Sequence, residues 1–148
     1  ALEAKMSCEL GIKELASTVK LRGTVDRIDK RNGSLKIIDY KTGLIRPNEV
    51  VIKNMDSCFD LANIKSMQLM CYALMYFKNF PKCSNVEAGL VSLRDLRKGV
   101  MKFGIKQMGK DKDYLIDTRK IVEFEKKLKQ LIIEIMNPKI NFKKATEA

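Results

Sequence analysis

Gly23-Thr24-Val25-Asp26-Arg27-Ile28-Asp29, followed after a short turn by Leu35-Lys36-Ile37-Ile38-Asp39-Tyr40-Lys41-Thr42-Gly43, is the stretch that decides how this chain folds. Between its halves lies Lys30-Arg31-Asn32-Gly33, and Asn-Gly is the strongest short hairpin signal because both turn residues must adopt positive φ. Val19, Leu21, Gly23, Val25 and Ile28 mark the strand before the turn; Leu35, Ile37, Ile38 and Tyr40 mark the strand after it. Asp26 is expected near the end of one strand and Asp39 near the end of its partner. Asp39 and Lys41 are two apart, so they project from the same face of an extended chain. The hairpin can bring Asp26 to them, although sequence does not fix the register. Two acids and one base would then converge.

Working outward, residues 9–15 alternate loosely and predict a first strand, with Ala16-Ser17-Thr18 as its turn. The first 43 residues therefore read as an antiparallel meander. Residues 44–60 are irregular. A long helix is predicted from about Leu61 to Phe80, apolar nearly all round, with Pro81 ending it. Residues 88–93 predict a further strand, and Val100 to Ile105 another after the Arg97-Lys98-Gly99 turn. Ile121, Phe124, Leu128, Leu131, Ile132 and Ile135 form one face of an amphipathic helix closed by Asn137-Pro138. The order predicts a mixed sheet flanked by helices, α/β or α+β in class, and 148 residues suit a single domain spanning 1–148.

Composition narrows the chemistry. The chain has no histidine, which excludes Ser-His-Asp and Cys-His catalysis and His-ligated zinc. Any reaction must run on carboxylates, lysines and hydroxyls. Lys and Arg number 29 against 18 Asp and Glu, a formal charge of +11 that attracts polyanions such as nucleic acid. Cys8, Cys58, Cys71 and Cys83 contain no C-x-x-C pair and read as reduced thiols, with Cys71 in the core. No apolar run approaches the ~20 residues of a membrane helix, so no membrane partner is expected. The opening Ala1-Leu2-Glu3-Ala4-Lys5 has neither the basic end nor the apolar middle of a signal peptide, and it lacks Met. The chain is expected to be a piece of a longer, cytoplasmic protein.

Hydrolysing a phosphodiester needs what Asp26, Asp39 and Lys41 offer. Two carboxylates hold a hard divalent cation through oxygen, the cation activates water and offsets charge at phosphorus, and a lysine orients the water or stabilises the phosphate. An exposed Asp39–Lys41 pair would be worth only ~0–1 kcal/mol and need mean nothing. Ile37-Ile38 immediately before Asp39 predicts a buried strand, and a buried carboxylate must be paired or metal-bound.

Gly-x-x-Asp-Arg-Ile-Asp, then Ile-Ile-Asp-Tyr-Lys-Thr-Gly, then Gln68-x-x-x-Tyr72 on the following helix, resembles the RecB/AddB branch of the PD-(D/E)xK nucleases over roughly residues 20–93. The resemblance implies a restriction-endonuclease-like core and a Mg²⁺- or Mn²⁺-dependent deoxyribonuclease, exonuclease in mode, of bacterial recombination and repair. DNA is the implied substrate, and a helicase domain or subunit the implied partner. It makes Asp26 and Asp39 the metal carboxylates with the Tyr40 backbone carbonyl beside them, and Lys41 the catalytic lysine. Gln68 and Tyr72, one helical turn apart, would shape the site and contact substrate. Arg27 would support the site or touch phosphate. Arg94, Arg97 and Lys98, with Lys102 and Lys106, are candidates for a DNA track.

Two departures from the family pattern stand out. The earlier acidic or histidine ligand common in the family has only Glu3, Glu9 or Glu14 to supply it, and none is assigned. No cysteine follows Cys83, so no iron–sulfur cluster is expected within this chain. The rival readings are a DNA-binding module or a partner-docking domain that keeps the fold without catalysis.

Overall fold

The computed structural model describes residues 2–143. Three strands, β1 (Leu2–Ile12), β2 (Ser17–Arg31) and β3 (Ser34–Lys41), form the expected antiparallel meander. β1 starts seven residues earlier than residues 9–15 predicted, and residues 13–15 form a 3-10 turn instead of strand. At the second hairpin Arg31 faces Ser34 across Asn32 (φ 49°) and Gly33 (φ 76°). Both turn residues are left-handed, the geometry that matches strand twist.

Residues 44–60 carry 3-10 turns at Pro47–Glu49 and Met55–Phe59 around the two-residue strand β4 (Val51–Ile52). Helix α1 spans Ile64–Asn79; the predicted first residues, 61–63, form a separate 3-10 turn. Its start is tied down by the Ser66 hydroxyl, which donates to the Glu49 carbonyl, and by a 2.8 Å Lys65–Glu49 ion pair. Strand β5 (Asn85–Ser92) then returns parallel to β3, with Asp39 beside Leu90 and Lys41 beside Ser92. A parallel pair needs such a crossover, and α1 supplies it.

Beyond β5, the predicted strand over Val100–Ile105 is two short ones, β6 (Met101–Lys102) and β7 (Gly104–Ile105), broken at buried Phe103. β6 joins the main sheet, whereas β7 pairs with β4 in a second small sheet. β8 (Ile116–Asp117) pairs with the start of β5 and leads into helix α2 (Thr118–Met136), capped by the Asp117 carboxylate accepting from the Lys120 backbone N–H. The main sheet order is β1-β2-β3-β5-β6, with β8 on β5. α1 packs across β1, β2, β3 and β5, and α2 packs on α1 and β1. The core lies between this sheet face and α1, built from residues such as Ile37, Leu69, Leu74, Leu90 and Phe124. This is the mixed α/β arrangement of a restriction-endonuclease-like fold.

All four cysteines are free, with Cys58 buried and Cys71 only half-buried against the core. Burial pushes both thiols up to about 12, so they are poor nucleophiles. Among the described residues, no helix is long and apolar enough to cross a membrane.

One buried cation lies outside the sheet. Lys120, 6% exposed, directs its ammonium to the Leu115 carbonyl and, at 2.6 Å, to Asp113, pinning residues 113–115 onto α2. Burial alone would raise the Asp113 carboxyl, but Lys120 and the Leu115 N–H outweigh it and hold it below the usual range. Stability from Asp113 is therefore present above the ordinary carboxylate pKa and is lost as pH falls through the depressed one. Lys120 is buried but Asp113 is only half-buried, so Lys120→Met loses two charge-assisted hydrogen bonds and should destabilise the fold by roughly 1–3 kcal/mol in urea unfolding. Lys127→Met, at the surface ion pair with Asp56, should leave the midpoint unchanged. Equal midpoints for the two variants would show that Lys120 is not an anchor.

Candidate active site

Strand alternation slips once, at the position that matters. Val25 is fully buried, and at Gly23 an added Cβ would meet Tyr72 Cε1 at 3.1 Å, so these positions turn toward α1. Ile28 is paired with fully buried Ile37 and packs against the same core. Odd and even positions of a regular strand cannot share a face; the phase therefore changes between Val25 and Asp26. Opposite this point on β1, Glu3 takes a left-handed backbone (φ 51°) between the pairs Leu2–Arg27 and Ala4–Val25. The slip puts the Asp26 carboxylate on the α1 side, level with Asp39. Asp26 thus lies inside a 15-residue strand, not near its end as expected.

The five residues singled out for catalysis are contiguous. Asp26 Oδ2 accepts the Tyr40 backbone N–H at 2.8 Å and lies within hydrogen-bonding reach of the Asp39 carboxyl. Lys41 Nζ sits 2.7 Å from Asp39 Oδ2 and donates to Gln68 Oε1 at 2.6 Å. Gln68 Nε2 donates to the Tyr72 hydroxyl at 3.0 Å. The chain Asp26–Asp39–Lys41–Gln68–Tyr72 thus runs from β2 through β3 to α1, at the carboxyl ends of the parallel pair β3 and β5. That end of a parallel pair is where open α/β sheets place ligand crevices.

Asp39 is 4% exposed, and its Oδ2 is shut off from water with no well-directed hydrogen bond; the Lys41 ammonium is its ionic neighbour. Its carboxyl is pushed above the usual Asp range, first by burial and then by Asp26, with Lys41 pulling the other way. Burial, with both carboxylates nearby, also raises the Tyr72 hydroxyl, which stays protonated.

The donor set fits a hard cation. Two carboxylates share a space in which their charges repel, and one buried oxygen lacks a directed donor. The Lys41 carbonyl accepts from the Leu93 N–H at 2.8 Å. Backbone groups of a strand alternate in direction, so the Tyr40 carbonyl points the other way, toward the Asp26 side. Among the described residues no group of three or more His, Cys, Asp or Glu is placed to hold an ion. An ion bound here would have two carboxylates and a carbonyl available, a donor set of the kind Mg²⁺ takes while keeping several waters.

Other expected residues fall elsewhere. Arg27 is on the opposite face of the sheet, where it pairs with Asp29 at 2.8 Å and donates to the Tyr40 hydroxyl at 3.3 Å. Its side chain cannot support the carboxylates directly. Arg94 and Arg97 follow β5 at the site's end of the sheet, Arg97 almost fully exposed beside Asp95, and Lys98 reaches the Ile45 carbonyl at 3.4 Å. Lys102 is paired with Glu87 at 3.0 Å. Glu9 faces Lys20 on the outer side, Glu14 lies in the first hairpin turn, and Glu3 alone of the three is level with Asp26. Sequence reading missed Ser92. It is buried beside Lys41, and its hydroxyl donates to the Gly43 carbonyl at 2.7 Å, fixing the exit of β3. Only knowledge of the parallel pairing would have found it.

The chain belongs to the PD-(D/E)XK nuclease superfamily, whose family model matches residues 1–147. Members of that superfamily are nucleases and generally use divalent ions such as Mg²⁺ or Mn²⁺. No curated protein matches the chain significantly. The solved structure of SSO0001 is similar at 14% identity with a TM-score of 0.41, over 93% of this chain and 51% of that one. The chain thus spans about half the length of that protein.

Because the folded state raises the Asp39 pKa, this carboxyl favours the fold while protonated. Its contribution is present below 3.8, the ordinary Asp value, and is lost as pH rises through the raised value. With a chelator present, the stability of the native protein relative to Asp39→Asn should decline as pH rises above that value. Urea midpoints at several pH values check this. A pH-independent difference would contradict burial as the cause.

Proposed function

We propose that this chain is a divalent-metal-dependent deoxyribonuclease of the RecB/AddB type, serving bacterial DNA recombination and repair. The observation that supports it most is the convergence of Asp26 and the buried Asp39 with Lys41, Gln68 and Tyr72 at one end of the sheet. Asp26, Asp39 and the Tyr40 carbonyl would hold Mg²⁺ or Mn²⁺. When bound, the ion lowers the pKa of water and offsets charge developing at phosphorus. The protein's own groups do the rest. Asp39 and Gln68 aim the Lys41 ammonium, which orients the attacking water or stabilises the phosphate oxygen. Tyr72 fixes Gln68, and Gly23 leaves room for Tyr72 against the sheet. Arg94, Arg97 and Lys98 would meet phosphates flanking the scissile one, while Arg27 is not assigned to this site. The domain would span 1–148, act on DNA ends as an exonuclease and work with a helicase domain or subunit.

Asp39→Ala and Lys41→Ala should each lower Mn²⁺-dependent cleavage of DNA by about 10²-fold or more, with circular dichroism unchanged. Calorimetric titration with Mn²⁺ should show saturable binding that Asp39→Ala abolishes. Folded protein with metal-independent DNA binding and no cleavage would instead support a DNA-binding module that keeps the fold.

A further inference from the structure

α1 and α2 both lie against the same face of the sheet: α1 packs across four strands, and α2 packs on α1 and β1. Cys8, on β1, shows the side, since Lys78 of α1 and Glu125 of α2 both act on its thiol. Among the described residues no helix covers the outer face. Along β1 and β2 that face carries Lys5 opposite Thr24, Arg22 opposite Ser7, and Lys20 opposite Glu9. Lys5, Ser7, Lys20, Arg22 and Thr24 line one shallow groove. Past the strand slip, Arg31 and Lys36 line a second groove with the Arg27–Asp29 pair.

The charge balance on this face is lopsided. Asp29 is paired with Arg27 and feels Arg31 as well, and Glu87 is held by Lys102, which among the described residues leaves Glu9, across from Lys20, as the one acid beside three cations. Lys5, Lys20 and Arg22 form no ion pair among the described residues. Lys20 and Arg22 are two residues apart on one strand face, about 7 Å, with hydroxyls interleaved. Cations interleaved with Ser and Thr hydroxyls are the side chains that contact phosphate and sugar in nucleic-acid complexes. A protein partner would need a buried aromatic or aliphatic anchor, and the β1–β2 half of this face offers none.

We infer that the outer sheet face is a second nucleic-acid-binding surface, a phosphate track on Lys5, Lys20 and Arg22 that lies on the side of the sheet away from Asp26 and Asp39. It rests on the nuclease reading for its ligand, but not on the catalytic chemistry. The track holds a phosphodiester backbone without reading sequence, because a shallow sheet face inserts no element into a groove where base edges could be read. It would retain a long strand while the site on the other face works on one phosphodiester.

The test is fluorescence anisotropy in EDTA, where nothing is cleaved, with a 20-nucleotide single strand and a 20-base-pair duplex as probes. The triple variant Lys5→Gln/Lys20→Gln/Arg22→Gln should bind at least tenfold more weakly. The steepness of its salt dependence should fall by about 2, since each phosphate-neutralising cation contributes roughly 0.7 to 0.9 to that slope. A control variant with the same charge loss on or beyond α2, Arg119→Gln/Lys126→Gln/Lys139→Gln, should bind nearly as the native protein does. Whichever probe shows the larger loss identifies single or double strand as the ligand. Equal weakening in both triple variants would reduce the effect to overall charge and overturn the track; so would unchanged binding in the outer-face variant, which would leave the face to an acidic protein partner or to solvent. Mn²⁺-dependent cleavage of a six-nucleotide substrate should persist in the outer-face variant. Loss of Asp39-dependent cleavage in the native protein is a separate failure, that of the nuclease reading, and would leave the binding result standing.

Discussion

Asp26 and Asp39 are held within hydrogen-bonding reach of each other where Asp39 has almost no water around it. Two carboxylates so placed repel, and burial penalises the charge of Asp39. Much of the surrounding arrangement answers that penalty. The Tyr40 N–H is directed at Asp26, the Lys41 ammonium at Asp39, and Gln68 then turns Lys41 to its place. These contacts offset the charge only in part, since Asp39 Oδ2 has no directed donor and the carboxyl remains raised. The protein's own groups thus compensate the pair only in part, and a bound cation would relieve the remaining repulsion.

The same pair explains why the fold has this topology. A hairpin alone would bring Asp26 and Asp39 together, but would leave both in water. β5 covers the far edge of β3, and α1, crossing between them, covers the face. Gly23 lets α1 approach, so that Tyr72 and Gln68 descend onto the carboxylates. The slip in β2 is a local departure from regular strand geometry placed at the site, where such departures concentrate. Without it, Val25 and Asp26 would lie on opposite faces, and Asp26 would point at solvent.

What was legible in the sequence followed from local rules. The Asn-Gly turn, the β2–β3 hairpin it makes and the shared face of Asp39 and Lys41 are set by residues close together in the chain, and these stand as read. Gln68 and Tyr72 were legible because four residues make one helical turn. The unreadable parts depended on partners far away in sequence. Arg27 reads as a neighbour of Asp26, yet adjacent strand residues face opposite sides, and only the slip determines which side each takes. Ser92 gains its place from a parallel pairing with a strand about fifty residues earlier in the chain, and Lys120 from a carbonyl and a carboxylate that periodicity does not reveal. β1 was read short because its inward residues before Leu10, namely Ala4, Met6 and Cys8, are small or unbranched and signal a strand weakly between the polar outward positions Lys5, Ser7 and Glu9.

That last point bears on the molecule as a whole. An antiparallel sheet with one solvated face needs polar outward residues, but it does not need them to carry one sign. On the inner face the charge that matters is negative and scarce: two carboxylates, one lysine and a shell of apolar packing. On the outer face it is positive and plentiful; Asp29 and Glu87 are matched with neighbouring cations, and Glu9 faces Lys20. The sheet between these faces is one layer of backbone, so the separation of sign is built into strand alternation itself. A polyanion attracted over long range by a net charge of +11 meets the cations without having to displace the Lys41 that Asp39 requires. The alternation that makes one side of β2 part of a site is what leaves the other side free to bind.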